Sequence, residues 1–303
     1  MIRIGNRSYV NNISSRKSMF KKKNIFEYKD ISKIFIAEAY NKLAENYEDT
    51  VVSRSLFYSE HYRAIAKFLL RNVIHRLKRG SLVADLGCGT GFWSILIKKL
   101  GFEVIGLDIS LRSIEKAYEK GLESFVGDIE KISLRNESFD LVIALASVIN
   151  HIDSHDQFFK NVSRILKKNG YLVFDFDSAW SIDNLYEALI YKNSVHNILK
   201  RFLDFSILQR GYKILWEFGN IYIRLYTPIE IIKELRAQGF EIIKIQPIHI
   251  LSSIIPVRIQ EKTEDDITRD IIRSLHKLDD YINRLFPIPY PLPVSYIVLA
   301  RKI

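Results

Sequence analysis

Apolar positions along this chain alternate between two periods. Short, nearly unbroken runs at Leu82–Leu86, Gly101–Asp108, Leu122–Val126, Phe139–Ala146 and Gly170–Asp177 have the pattern of strands buried on both faces. Between them, apolar residues recur every three or four positions, as in Phe92, Trp93, Ile95, Leu96, Ile97 and Leu100, and again over Leu111–Lys120 and Asp156–Lys168. That rhythm predicts helices, and strand–helix repetition predicts a doubly wound, mostly parallel sheet with helices on both faces. Two helices precede the first strand. One runs from Ile31 to Tyr47 with Ile31, Ile34, Phe35, Ala39 and Leu43 as its apolar positions, the other from about Glu60 to Arg79.

Beyond Asp177 the pattern changes. Residues 178–212 read as helical and aromatic-rich (Trp180, Tyr186, Tyr191, Phe202, Phe205), and Ile214–Tyr226 alternates like one strand or two. Thr227, Pro228 and Glu230 then form a helix start with a capping box. A strand follows at Phe240–Ile243, a helix over Thr263–Leu285, and a last strand at Val294–Ala300 behind Pro287, Pro289, Pro291 and Pro293. The organisation expected is a basic extension over 1–34, a core over 35–177, an insertion over 178–226, and a completion of the sheet over 227–303.

The chemistry is concentrated where the first strand ends. In Asp85-Leu86-Gly87-Cys88-Gly89-Thr90-Gly91 three glycines stand at alternate positions between a strand and a helix. Glycine accepts positive φ and lets a ligand lie on bare backbone, while the helix start turns free N–H groups and its positive dipole end toward that ligand. The dinucleotide fingerprint G-x-G-x-x-G is one residue longer. Asp108, 21 residues past Gly87, ends the second strand, where a carboxylate can accept both hydroxyls of an adenosine ribose. An alternative is that it caps the next helix, a task Ser110 can also perform.

This motif resembles the cofactor loop of class I S-adenosylmethionine (SAM)-dependent methyltransferases of the small-molecule type. The resemblance covers about residues 35–303 and is densest over 82–175 and 226–243. It implies a seven-stranded sheet whose last strand inserts antiparallel, and SAM as cofactor. It also implies a binding set of Asp85, Gly87, Cys88, Gly89 and Gly91 in the loop, Asp108 with Ile109 at the ribose and adenine, Asp128 with Ile129 at the adenine edge, and Leu145 near the methyl. Ala44-Glu45-Asn46-Tyr47 is similar to the entry segment in which a tyrosine closes over the cofactor, so Tyr47 is a candidate, with Glu48 where Asp is usual. Asn150 and His151, after the fourth strand, are candidates for the catalytic wall. His151 has an ordinary pKa suited to a general base; a purely structural histidine is the other reading. His151, Asp153, His155 and Asp156 match no known metal spacing, so no metal is expected. The loop spacing and Asp128 speak against a nicotinamide enzyme.

Charge and composition narrow the rest. The 45 Lys plus Arg against 35 Asp plus Glu leave +10, and residues 1–80 alone hold 17 basic and 7 acidic side chains, the same excess. Arg16-Lys17 and Lys21-Lys22-Lys23 are its densest clusters. They suit either a solvated extension or an arm for RNA or an anionic membrane surface. One Cys, no apolar leader after Met1, and no run long enough to span a bilayer fit a cytoplasmic protein. That single Cys lies inside the glycine loop, which removes cytosine C5 methylation, and no [D/N]-P-P-[Y/F] signature follows Asp140. A small-molecule or lipid-like acceptor, methylated at oxygen or nitrogen under an aromatic cover, is therefore expected. An RNA methyltransferase and a non-catalytic SAM-binding protein are the alternatives. The oligomeric state is left open.

Overall fold

The computed structural model describes residues 25–53, 55–184, 186, 211–216, 221–285 and 292–303. The basic clusters at 16–17 and 21–23, the aromatics Tyr191, Phe202, Phe205 and Phe218, and Pro287, Pro289 and Pro291 lie outside the described residues.

A helix α1 (Ile25–Leu43) and a helix α2 (Leu56–Asn72) lead into the repeating part. That part consists of β1 (Leu82–Leu86), α3 (Phe92–Lys99), β2 (Glu103–Asp108), α4 (Leu111–Glu119), β3 (Glu123–Val126), β4 (Phe139–Ala144), α5 (His155–Ile165) and β5 (Leu166–Asp177). A hairpin of β6 (Tyr212–Trp216) and β7 (Ile221–Leu225) follows. The chain ends with α6 (Pro228–Ala237), β8 (Phe240–Ile248), α7 (Val257–Lys262), α8 (Asp266–Leu285) and β9 (Ser295–Lys302).

One seven-stranded sheet has the order β3-β2-β1-β4-β5-β9-β8, and β6–β7 form a separate two-stranded sheet. The pairs β1–β2, β1–β4, β2–β3 and β4–β5 are parallel, while β9 runs antiparallel to both neighbours, β5 and β8. The expected closure by an antiparallel last strand is therefore present. β9 shows why its sequence is apolar without a break. Tyr296, Val298 and Ala300 enter the core beneath α5 and α6, whereas Ile297 and Leu299 enter the one beneath α2 and α3. A strand covered on both faces leaves no position for a polar residue to reach water.

Several boundaries differ from expectation. The second helix begins at Leu56, because the Ser55 hydroxyl accepts from Tyr58 N (3.4 Å) and caps it there. The fifth helix stops at Ile165; Leu166 is already extended, and Asn169 sits at φ +65° where β5 shifts register against β4. The Thr227 cap is present (Glu230 N to Oγ1, 3.1 Å), but the Glu230 carboxylate pairs with Arg224. The largest difference is the rotation of α1. Ile34 and Phe35 face out, 57 % and 56 % exposed, and Ile36 is buried instead.

Candidate active site

A cleft opens above the carboxyl ends of β1, β2 and β4, with an empty volume of about 890 Å³ including its open mouth. Its floor is the glycine loop. Gly87, Gly89 and Gly91 all have positive φ (77°, 52° and 84°), and Gly91 occupies the N-cap of α3. A Cβ on Gly87 would lie 2.6 Å from the Val148 methyl groups, so glycine is required there for space as well as for φ. A Cβ on Gly89 would meet nothing within 4 Å, so bare backbone faces open space. Cys88 is buried, and burial pushes its thiol well above the ordinary range. An unreactive thiol results.

Acids punctuate the strand ends. Asp108 accepts from Gly89 N and from Ser110 N, both at 2.8 Å, which clamps the loop to the end of β2. Burial pushes its carboxyl up, against the pull of those donors. Ser110 itself caps α4, its hydroxyl accepting from Ser113 N at 3.1 Å, so capping does not require Asp108. Asp85 lies under the loop rather than on the cleft. It accepts from the Ser94 hydroxyl at 2.6 Å and is pushed up by burial to about 7. Asp128 accepts from Glu130 N (2.9 Å) and from Lys33 Nζ (2.5 Å).

The other rim is made by α1. Lys33 pairs with Asp128 and Glu130 together. Burial draws its ammonium down, but those bonds prevail and hold it above its ordinary value. Ser32 donates to Asp153 (2.9 Å), and the Asn41 side-chain oxygen accepts from Ser110 Oγ (2.8 Å) and Arg112 N (3.1 Å). Tyr40 Oη and His151 Nε2 are 2.9 Å apart, with the rings edge-to-face. Burial lowers the imidazole to about 4, so it is neutral at physiological pH and can accept a proton, as a weaker base than an imidazole in water. These contacts tie α1 to both sides of the cleft and explain its rotation, since those of Lys33 and Tyr40 turn that face inward and Ile36 lies between them on it. Past α1, Tyr47 hydrogen-bonds Tyr62 (3.2 Å), which stacks on Trp93. Glu48 accepts from the Thr90 hydroxyl at 3.0 Å and pairs with Lys120.

Of the residues singled out in the sequence, Tyr47, Gly87, Cys88, Gly89, Asp108, Ile109, Asp128, Ile129, Leu145 and His151 line this one cleft. Asp85, Gly91 and Asn150 do not. Asn150 is buried, with Nδ2 donating to Arg224 O (2.5 Å) and Oδ1 accepting from Asp177 N (3.0 Å), so its whole amide braces β5 and β7. Sequence reading missed Lys33 and Tyr40, whose signal was their spacing with Ile36 on one face of a helix. It also missed the segment after β4. Ala146 and Ser147 are consecutive non-glycine residues at φ +66° and +59°, an unfavourable conformation. Asp175 holds it by accepting from Ser147 N (2.9 Å), and the Ser147 hydroxyl donates to Asp177 (2.9 Å).

A family model for a methyltransferase domain matches residues 84–174, from the middle of β1 into β5. The chain is a class I SAM-dependent methyltransferase. The methyltransferase is 27 % identical over 223 residues to an uncharacterized protein of Methanocaldococcus jannaschii, covering 72 % of this chain and 81 % of that one. It is 26 % identical over 190 residues to a malonyl-[acyl-carrier protein] O-methyltransferase of Hamiltonella defensa, covering 62 % and 69 %. Its fold is similar to that of a SAM-dependent methyltransferase from Thermotoga maritima (TM-score 0.53, 17 % identity, 88 % and 99 % covered). The bare backbone at Gly89 and the acid at the end of β2 fit the nucleoside and amino-acid parts of SAM. The aromatic wall of Tyr40, Tyr47 and Tyr62 suits its sulfonium.

Proposed function

We propose that this methyltransferase transfers a methyl group from SAM to an oxygen or nitrogen of a small-molecule or lipid-like acceptor. The observation that carries this reading is the placing of α1 along the cleft mouth, tied by side chains to the loops after β2, β3 and β4. A cleft bordered in this way takes a compact acceptor or a chain end, whereas a folded RNA duplex would have to lift the helix away.

SAM supplies an electrophilic methyl on a positively charged sulfur. The roles proposed for this chain are to bind, to exclude water and to take a proton. Asp108 accepts from the ribose hydroxyls, Asp128 accepts from the adenine amino group beside Ile109, and the Ile129 backbone donates to the ring. The Gly87–Gly91 backbone lies along the amino-acid end, and Asp85 supports that loop through Ser94. Leu145 and Tyr47 shield the methyl from water, and the acceptor is held about 3 Å away for in-line attack. His151, neutral and paired with Tyr40, takes the proton when the nucleophile is a hydroxyl. Asn150 contributes by fixing the turn that carries His151. The O-methyltransferase relative supports oxygen as the acceptor atom.

The test is incubation of the protein with methyl-labelled SAM and fractionated extract. Label in a small-molecule or lipid fraction is the expected result; label in RNA, lost on removal of residues 1–24, would replace this reading with the RNA one. S-adenosylhomocysteine binding without turnover on any fraction would leave a binding protein.

A further inference from the structure

α8 is mounted with its polar side inward. His276 Nδ1 meets His249 Nδ1 at 3.3 Å, and Asp279 accepts from Ile250 N and Leu251 N at 3.1 and 2.6 Å. Asn283 Nδ2 donates to Pro247 O at 3.0 Å. Ile272 is the buried apolar residue of the helix. Away from that side Ile267, Ile271, Leu278, Tyr281 and Leu285 are 72, 51, 51, 60 and 53 % exposed. With Ser274 they are spaced four, three, four, three and four residues apart, the spacing of a coiled-coil seam. A contiguous apolar stripe of this kind marks an interaction surface.

We propose that the stripe is a homodimer interface, in which α8 packs antiparallel on the same helix of a second copy about a two-fold axis beside residue 276. The sequence of the stripe is complementary to itself in that register. Ile271 meets the partner's Tyr281, Leu278 meets the partner's Ser274, and Leu285 meets the partner's Ile267. All six positions find a mate, and the smallest residue lies next to the axis, where the helices approach most closely. Charge agrees with the register. Asp270 and Arg284 border the stripe on one side, and the same axis brings Asp270 against the partner's Arg284 at both ends. Their present pairings, Asp270 with Arg273 (3.0 Å) and Arg284 with Asp280 (3.1 Å), are readily exchanged: the first is exposed, and Asp280 keeps Lys67 and Arg71 when Arg284 leaves it. Lys277 meets its own copy near the axis, which limits affinity. A lipid surface fits less well, because Asp266 and Asp270 are interspersed with Arg273, Lys277 and Arg284 on the exposed side of the helix, while Asp280 faces Lys67 and Arg71 of α2. Isologous two-fold contacts are the commonest in oligomers. Two helices bury less than the ~1,600 Å² of a standard interface, so the dimer should be a weak one.

Sedimentation velocity of the full chain over a range of concentrations tests this. The wild type should pass from monomer to dimer as concentration rises. I271E/L278E should remain monomeric, with dimerisation weakened at least about a hundredfold, while its thermal unfolding and S-adenosylhomocysteine binding stay as in the wild type. D270R should weaken the dimer about tenfold, and D270R/R284D should restore it. The proposal is overturned by a wild type that stays monomeric throughout, by an I271E/L278E variant that still dimerises, or by a charge swap that restores nothing. Monomers that co-sediment with phosphatidylserine-containing vesicles through this stripe would likewise overturn it in favour of lipid.

Discussion

The two rims of the cleft are built by different means. The glycine-loop rim is backbone: three positive-φ glycines within five residues, clamped by Asp108 to the end of β2. The α1 rim consists of side chains that reach across the sequence, Lys33 to Asp128, Tyr40 to His151 and Ser32 to Asp153, which are 95, 111 and 121 residues apart. A backbone site is specified by its own short segment and tolerates little change. A site of converging side chains is specified by packing, so each contact can be altered singly and the response graded.

That difference can be tested from both sides. The largest effect is expected at the side-chain rim, in His151→Ala, where loss of a proton acceptor should lower kcat about 10²–10⁴-fold with S-adenosylhomocysteine affinity unchanged; rates that stay intact would reduce His151 to a support for Tyr40. On the backbone rim, Asp108→Ala should weaken S-adenosylhomocysteine binding about 10–100-fold by calorimetry, the loss of hydrogen bonds to a charged acceptor. Gly87→Ala combines a disfavoured φ with the Val148 contact and should cost about 2 kcal/mol or more in a urea melt. An unchanged midpoint would show that the loop is more yielding than its geometry suggests. Lys33→Met removes the cation shared by Asp128 and Glu130 and should cost about 1–3 kcal/mol. The affected part should be α1, read by hydrogen exchange, with the sheet unaffected.

The smallest effects concern pH, and the rims should respond with opposite sign. His151 is lowered from 6.5 to about 4 by burial, so the unfolded chain takes up a proton there first as pH falls. Its contribution to stability is complete above about 6.5 and is lost between 6.5 and 4. Asp85 is raised from 3.8 to about 7 by burial, so its contribution is complete below 3.8 and is lost as pH rises through 7. Asp85→Asn should therefore gain on the wild type in Tm as pH increases from 4 to 8, whereas His151→Gln should gain on it as pH decreases from 6.5 to 4. A pH-independent difference in either case would show that the group titrates as it does in water.

Local physics by itself determined the strand–helix alternation, the glycine loop with its following helix, and the cap at Thr227. In each, a period of two or 3.6, or a demand for positive φ, is met by residues only a few positions apart. The antiparallel closure by β9 followed from the family resemblance rather than from any local pattern. Only the tertiary structure decided which way α1 and α8 face. By hydrophobicity both should turn Ile and Leu inward. In both, polar side chains found buried partners tens to more than a hundred residues away (Lys33 with Asp128, Asp279 with the Ile250 backbone). A buried polar group left unpaired costs more than a half-exposed isoleucine, and no periodicity in the sequence records where such a partner will be.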